Sequence, residues 1–134
     1  MSSEGVFKEY AVLLAKLGYE SESLESLVMK WEFFIEQCKD GYRWDYSEYR
    51  NEIRVRSLLQ ELKNCSNIYG AGELKGCFEY LAFLDEEFKS LMQPGVDVEE
   101  GSSWWDRGVL KCAGEEYCYY MARAHQILVK NAGG

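Results

Sequence analysis

The segment LESLVMKWEFFIEQC, residues 24–38, decides the fold class, because its large apolar side chains recur every three or four residues. This spacing places them along one side of an α-helix and leaves the charged side chains on the other side. The same period runs through LKGCFEYLAFLDEEFKSLM, residues 74–92. Both segments are therefore predicted to be amphipathic helices.

Working outward from these segments, the boundary signals are those of helices. Gly18 and Gly41 suit helix C-termini, Asp45 followed by Glu48 is a capping box, and Pro94 with Gly95 ends a fourth helix. Strand signals are weak, since no Asn-Gly or Asp-Gly hairpin appears. We predict an all-α, single-domain bundle over residues 1–134, with about five helices near 3–17, 21–39, 45–64, 71–92 and 113–130 and a long loop at about 93–112.

The fifth predicted helix is favoured by Glu115 and Glu116, which suit the positive N-terminal end of a helix. Its predicted buried face consists of five side chains at helical spacing: Tyr117, Tyr120, Met121, Ala124 and Leu128.

Length and composition fit one folded domain. The chain has 134 residues, of which 47% are hydrophobic and 15% aromatic, which argues against disorder. Its five cysteines show no Cys-x-x-Cys spacing, so we expect reduced thiols and neither a metal site nor a cofactor. No signal-peptide pattern and no apolar run near the ~18 residues of a membrane span appear. The expectation is a cytoplasmic protein that does not bind membranes.

Catalytic chemistry has little support in the sequence. His125 is the only histidine, and no residue at helical spacing from it would orient the ring or supply a nucleophile. The neighbouring carboxylates Glu86 and Glu87 point about 100° apart on a helix, so they do not form an acid/base pair. Residues 43–63 hold five bases and four acids, a balance of only +1, which disfavours nucleic-acid binding. We predict neither an enzyme nor a nucleic-acid-binding protein.

The charge of the chain is concentrated in one window. Residues 79–106 contain eight carboxylates and one base, Lys89, a balance of −7 in a chain of net charge −8. This window can be a solvated surface that keeps the protein soluble, or a docking face for a cationic partner.

Two tryptophans in the same window favour the docking interpretation, because tryptophan is enriched at the centres of interfaces. We expect one of the two rings to lie in the core and the other to anchor a partner. The predicted partner-binding residues are Glu86, Glu87, Asp97, Glu99, Glu100, Trp104, Trp105 and Asp106.

Asp85 falls on the apolar side of its predicted helix, and a buried carboxylate needs a partner. Three arginines at positions 50, 54 and 56 lie on one predicted helix, and Arg107 follows the tryptophans. We predict a structural ion pair of Asp85 with Arg54 or Arg107.

Four stretches together carry a resemblance to a known family: WEFFIEQCKDGY at 31–42, EYRNEIRVRSLL at 48–59, FLDEEF at 83–88 and WWDRGVL at 104–110. In this order they resemble small bacterial immunity proteins encoded beside polymorphic toxins, including those of contact-dependent growth inhibition systems. The resemblance implies a cytosolic, non-enzymatic protein that binds the C-terminal toxin domain of a delivered effector and blocks it. The matched residues resemble scaffold positions, so the toxin-facing surface is not implied by them.

Two functional hypotheses follow. An acidic protein suits a basic, nuclease-type toxin domain, which must hold phosphates. The alternative is a non-enzymatic helical adaptor or regulatory protein, in which the acidic window serves solubility. The sequence predicts neither the toxin chemistry nor the oligomeric state.

Overall fold

The computed structural model describes residues 24–64, 75–98 and 103–132. Its helices are α1 (Leu24–Lys39), α2 (Tyr46–Asn64), α3 (Lys75–Ser90), α4 (Trp104–Arg107) and α5 (Glu115–His125), and its strands are β1 (Met92–Asp97), β2 (Gly108–Leu110), β3 (Cys112–Ala113) and β4 (Lys130–Asn131). The predicted helix at 3–17 and the predicted starts of the second helix at 21 and of the fourth helix at 71 lie outside the described residues. The protein is mainly helical, as the apolar periodicity predicts.

Helix α1 lies between α2 and α3 and packs against both. Its apolar side is completely covered, with Leu27, Trp31 and Ile35 at 0% exposure. Trp31 and Phe34 stack with ring centroids 5.7 Å apart, and Phe88 of α3 meets the Trp31 ring edge-on at 4.9 Å. The apolar stripes of the two quoted segments thus form the centre of the core.

The turn from α1 to α2 uses the two signals read from the sequence. Gly41 has a φ of 85°, a left-handed conformation that favours glycine, and a Cβ on it would lie 2.4 Å from the Cβ of Ala132. The Glu48 backbone N–H donates to Asp45 Oδ1 at 2.9 Å, which caps the first turn of α2. The predicted boundary at Asp45 is confirmed.

The prediction of a purely all-α fold is wrong, because strands occupy the region predicted as a loop at 93–112. Strands β1 and β2 pair antiparallel with an irregular register, and the four-residue helix α4 lies between them in the chain. Strands β3 and β4 pair in parallel, Cys112 with Lys130 and Ala113 with Asn131. These strands lack the local turn signal of a hairpin, since each pairs with a segment distant in sequence.

The fifth helix is shorter than predicted. It ends at His125, because Gln126 adopts a left-handed φ of 54° and its N–H bonds the carbonyl of Met121. The chain beyond is drawn against β3, where the Lys130 N–H bonds the Lys111 carbonyl at 3.0 Å. Leu128 is consequently 87% exposed.

Among the predicted buried residues of the fifth helix, Tyr117 and Met121 lie in the core and Tyr120 is half-buried. Ala124 and Leu128 are exposed, so their predicted burial is wrong.

Candidate protein-binding surface

A buried ion pair joins the three long helices. Arg56 of α2 donates from Nε to Asp85 Oδ1 at 2.8 Å and from Nη2 to Oδ2 at 2.9 Å, and Trp31 of α1 donates its indole N–H to Oδ1 at 3.1 Å. Arg56 is 2% and Asp85 8% exposed. Such a two-pronged, charge-assisted contact fixes the relative position of α2 and α3 as well as supplying energy.

The predicted partners of Asp85, Arg54 and Arg107, are wrong. Arg56 follows the buried Ile53 by three residues and so shares its side of α2, whereas Arg54 is turned about 100° from Ile53 and is exposed. Arg107 instead meets Asp97 at 3.3 Å on the surface.

Arg56, the partner of Asp85, also contacts the tryptophan pair. Its guanidinium carbon lies 4.4 Å from the ring centroid of Trp105, which is 5% exposed and donates its indole N–H to Ser57 Oγ at 2.9 Å. Trp104 is half-buried, with the Lys89 ammonium 4.8 Å from its ring centroid. Trp105 is therefore a core residue and offers no exposed anchor, while Trp104 is partly covered by a lysine.

The carboxylates of the acidic window do not converge on one unpaired patch. Each of the six in the described part of the chain has a basic group within 4.0 Å: Glu79 with Lys75, Asp85 with Arg56, Glu86 with Lys89, Glu87 with Lys39, Asp97 with Arg107, and Asp106 with Arg50. Five of those six bases lie outside residues 79–106. The charge of −7 counted along the sequence is therefore largely compensated by basic side chains from other parts of the fold. The predicted site residues Glu99 and Glu100 lie outside the described residues.

A surface built on α1 and α3 presents large apolar side chains to solvent. Of the seven described large hydrophobic side chains that are exposed, five lie on α1, on the turn after it and on α3: Met29 at 67%, Phe33 at 66%, Trp44 at 53%, Tyr80 at 41% and Phe83 at 55%. Together with the carboxylates Glu32, Glu36, Asp40 and Glu87 they are called the α1–α3 ridge below.

Contacts between side chains connect the two helices of this ridge. The Tyr80 hydroxyl donates to Glu32, and the Tyr80 and Phe83 rings stack with centroids 5.9 Å apart. On the other flank, the Trp44 indole N–H donates to Gln37 Oε1 at 3.2 Å. Beside Phe33, a groove of about 630 Å³ runs between α1 and α2. The ridge therefore combines fixed aromatic rings with carboxylates.

The exposed apolar side chains of this surface were not predicted as a binding site, although the sequence contains a signal for them. Phe33 stands beside Phe34 and Phe83 beside Leu84, and an α-helix cannot direct two successive side chains to one face. One member of each pair had to leave the core, and Phe33 and Phe83 are those members.

The described residues contain no group of three or more His, Cys, Asp or Glu side chains that could hold a metal ion. Burial raises the pKa of the Cys38 thiol well above its ordinary value, with the Glu52 carboxylate adding to the effect. A buried thiol of raised pKa is protonated near neutral pH and is a poor nucleophile.

No described helix combines the length and apolar character needed to span a bilayer. Comparison of the chain with models of protein families, with curated proteins and with solved structures finds no match.

Proposed function

We propose that this chain is an immunity protein that binds a cognate toxin domain in the cytosol and neutralises it. One observation carries the proposal: a protein of net charge −8 exposes five large apolar side chains on one acidic surface. Exposed apolar patches bordered by polar groups mark protein interaction sites, and aromatic residues supply most of the affinity at such sites.

The proposed partner is a basic, nuclease-type toxin domain. A nuclease holds phosphates with lysine and arginine, and this basic surface is attracted by an acidic protein. Surface carboxylates of this chain would accelerate association with the toxin domain. Exposed aromatic rings that become buried in the complex would slow its dissociation. The resemblance of residues 31–42, 48–59, 83–88 and 104–110 to immunity proteins supports the same proposal.

The alternative proposal is a helical adaptor or regulatory protein that binds a cellular partner through the same kind of surface. The two differ in gene context, since an immunity gene lies beside its toxin gene and an adaptor gene has no such requirement.

Co-expression tests the proposal. The experiment uses the toxin domain that the proposal requires in the neighbouring gene, which is induced in a heterologous host with this chain or with an empty vector. We expect growth to be restored by this chain alone, and a catalytically inactive toxin variant to co-purify with it. Continued growth arrest while both proteins accumulate in soluble form would exclude the immunity function.

A further inference from the structure

We propose that the α1–α3 ridge is the docking surface for the toxin domain, and that it receives a lysine- and arginine-bearing face of that domain. This inference rests on the proposed function. The ridge shares Tyr80, Phe83 and Glu87 with the predicted window at 79–106, but it leaves out the loop of that window, from Asp97 to Asp106, and adds the exposed side of α1.

The apolar side chains of the ridge follow one line along α1. Met29 and Phe33 are four residues apart, and Glu36 and Asp40 continue the same side of the helix, opposite the buried Trp31 and Ile35. A helix with apolar side chains on two opposite faces normally has a neighbour on each. In this protein α2 and α3 cover the inner face of α1, and the outer face of α1, which belongs to the ridge, is exposed.

Charge complementarity identifies the occupant. Helix α1 with its C-terminal turn, together with α3, carries seven solvent-accessible carboxylates against four lysines, a balance of −3. Helix α2, with the buried Arg56 left out in the same way as the buried Asp85, carries three carboxylates and three bases, a balance of zero. The apolar side chains are thus set in the negative part of the long helices, which suits a cationic face.

The aromatic rings suit the same occupant. Guanidinium and ammonium groups bind over the faces of tryptophan, tyrosine and phenylalanine, and a carboxylate nearby adds charge attraction. Trp44 lies beside Asp40, and Tyr80 is bonded to Glu32. A basic side chain of the partner would therefore find a ring and a carboxylate together.

Two other occupants have the wrong charge. A second copy of this chain would oppose one acidic ridge to another. Residues 1–23 of the same chain hold four acids and two lysines, a balance of −2, so they too carry the sign of the ridge. Like charges placed opposite one another disfavour both arrangements.

The loop that carries the rest of the acidic window is less suited to docking. Trp105 is buried, Asp106 is held by Arg50, and Asp97 is held by Arg107. Glu36 and Glu87 of the ridge are likewise paired, both with Lys39, so the difference lies in the rings: Phe33 and Phe83 are exposed, whereas the loop offers only the buried Trp105 and the half-buried Trp104.

Three charge-reversal pairs that change the net charge equally test the inference. Glu36→Lys with Asp40→Lys reverses the ridge, Glu99→Lys with Glu100→Lys reverses the predicted loop, and Glu61→Lys with Glu116→Lys reverses remote surface positions. Association with the inactive toxin domain is measured at several salt concentrations. We expect the ridge pair to slow association about tenfold or more and to flatten its salt dependence, and the other two pairs to change it by less than about threefold.

Truncation of exposed rings provides a second, independent measurement. Phe33→Ala and Phe83→Ala should each speed dissociation by about tenfold or more, as removal of an interface anchor does, whereas Tyr119→Ala, an equally exposed ring on α5, should leave it unchanged. These residues are solvent-exposed, so the variants should keep the wild-type circular dichroism and melting temperature.

The outcomes separate the two proposals. Tight binding by the wild type that is lost in the loop pair and kept in the ridge pair overturns the ridge and leaves the immunity function standing. No binding by the wild type overturns both. A wild-type dimer that Phe33→Ala dissociates, with unchanged toxin binding, shows that the ridge is a self-association surface and also overturns the inference.

Discussion

Replacing Asp85 by alanine should lower the free energy of unfolding by about 3–5 kcal/mol, the range found when one partner of a buried ion pair is removed. The variant would leave the Arg56 guanidinium at 2% exposure with no carboxylate, and Trp31 would lose its hydrogen-bond acceptor. Chemical denaturation at neutral pH measures this loss directly.

The matched control for Asp85→Ala is the same substitution at the next residue, Glu86. Glu86→Ala removes a carboxylate that pairs with Lys89 on the surface, and such exposed pairs contribute little, so we expect a change within about 0.5 kcal/mol. A double variant, Asp85→Leu with Arg56→Met, should recover much of the stability because no charge is left buried. If Asp85→Ala costs no more than Glu86→Ala, the ion pair does not hold α2 and α3 together.

Alkaline pH should destabilise the protein steeply. Burial is the main cause that raises the pKa of Tyr42, Tyr49 and Tyr117 above the ordinary value, and the hydrogen bond from the Tyr42 hydroxyl to Glu52 adds to the effect for Tyr42. Above about pH 10 the unfolded chain releases these protons while the folded protein keeps them, so stability falls as pH rises. Each tyrosine contributes a slope of about 1.4 kcal/mol per pH unit, and the three together contribute about 4 kcal/mol per pH unit.

Tyrosine-to-phenylalanine variants test this assignment. Tyr49→Phe keeps the ring that packs between Phe34 and Tyr117 but removes the titrating group, so it should reduce the slope above pH 10 by about 1.4 kcal/mol per pH unit. Tyr119→Phe changes an exposed ring and should leave the slope unchanged. A slope that is the same in wild type and in Tyr49→Phe would mean that Tyr49 also ionises in the folded protein.

The long helices could be predicted because their determinants are local. In α1 and α3, the three- and four-residue spacing of apolar side chains such as Leu27, Trp31 and Phe88 decides which face of the helix is buried. Asp45 caps the N-terminus of α2 with its own side chain. Each of these features is contained within one or two turns of chain.

The strands could not be predicted in the same way, because their pairing is not local. Met92 pairs with Leu110 and Cys112 with Lys130, eighteen residues away in each case. Neither pairing uses a short turn with a recognisable composition. The left-handed Gln126 that ends α5 is also set by the docking of the following segment against β3.

In the candidate site, too, features set by the local sequence could be predicted and features set by distant contacts could not. Asp85 was recognisable as a buried acid from its place on an apolar stripe, but the choice of Arg56 over Arg54 depends on the rotation of α2 about its axis. The acidic window is a feature of the linear sequence, and in the folded protein its carboxylates pair with bases that include Lys39 of α1, Arg50 of α2 and Arg107 of α4.

The most direct test of the central claim is inhibition of the toxin by the purified protein. Increasing amounts of this chain are added to the active toxin domain, and nuclease activity and complex mass are followed in parallel. We predict that activity falls to background at a fixed stoichiometry and that a discrete complex of the two proteins sediments at the same ratio. A toxin domain that keeps its full activity in a large excess of folded protein would contradict the account.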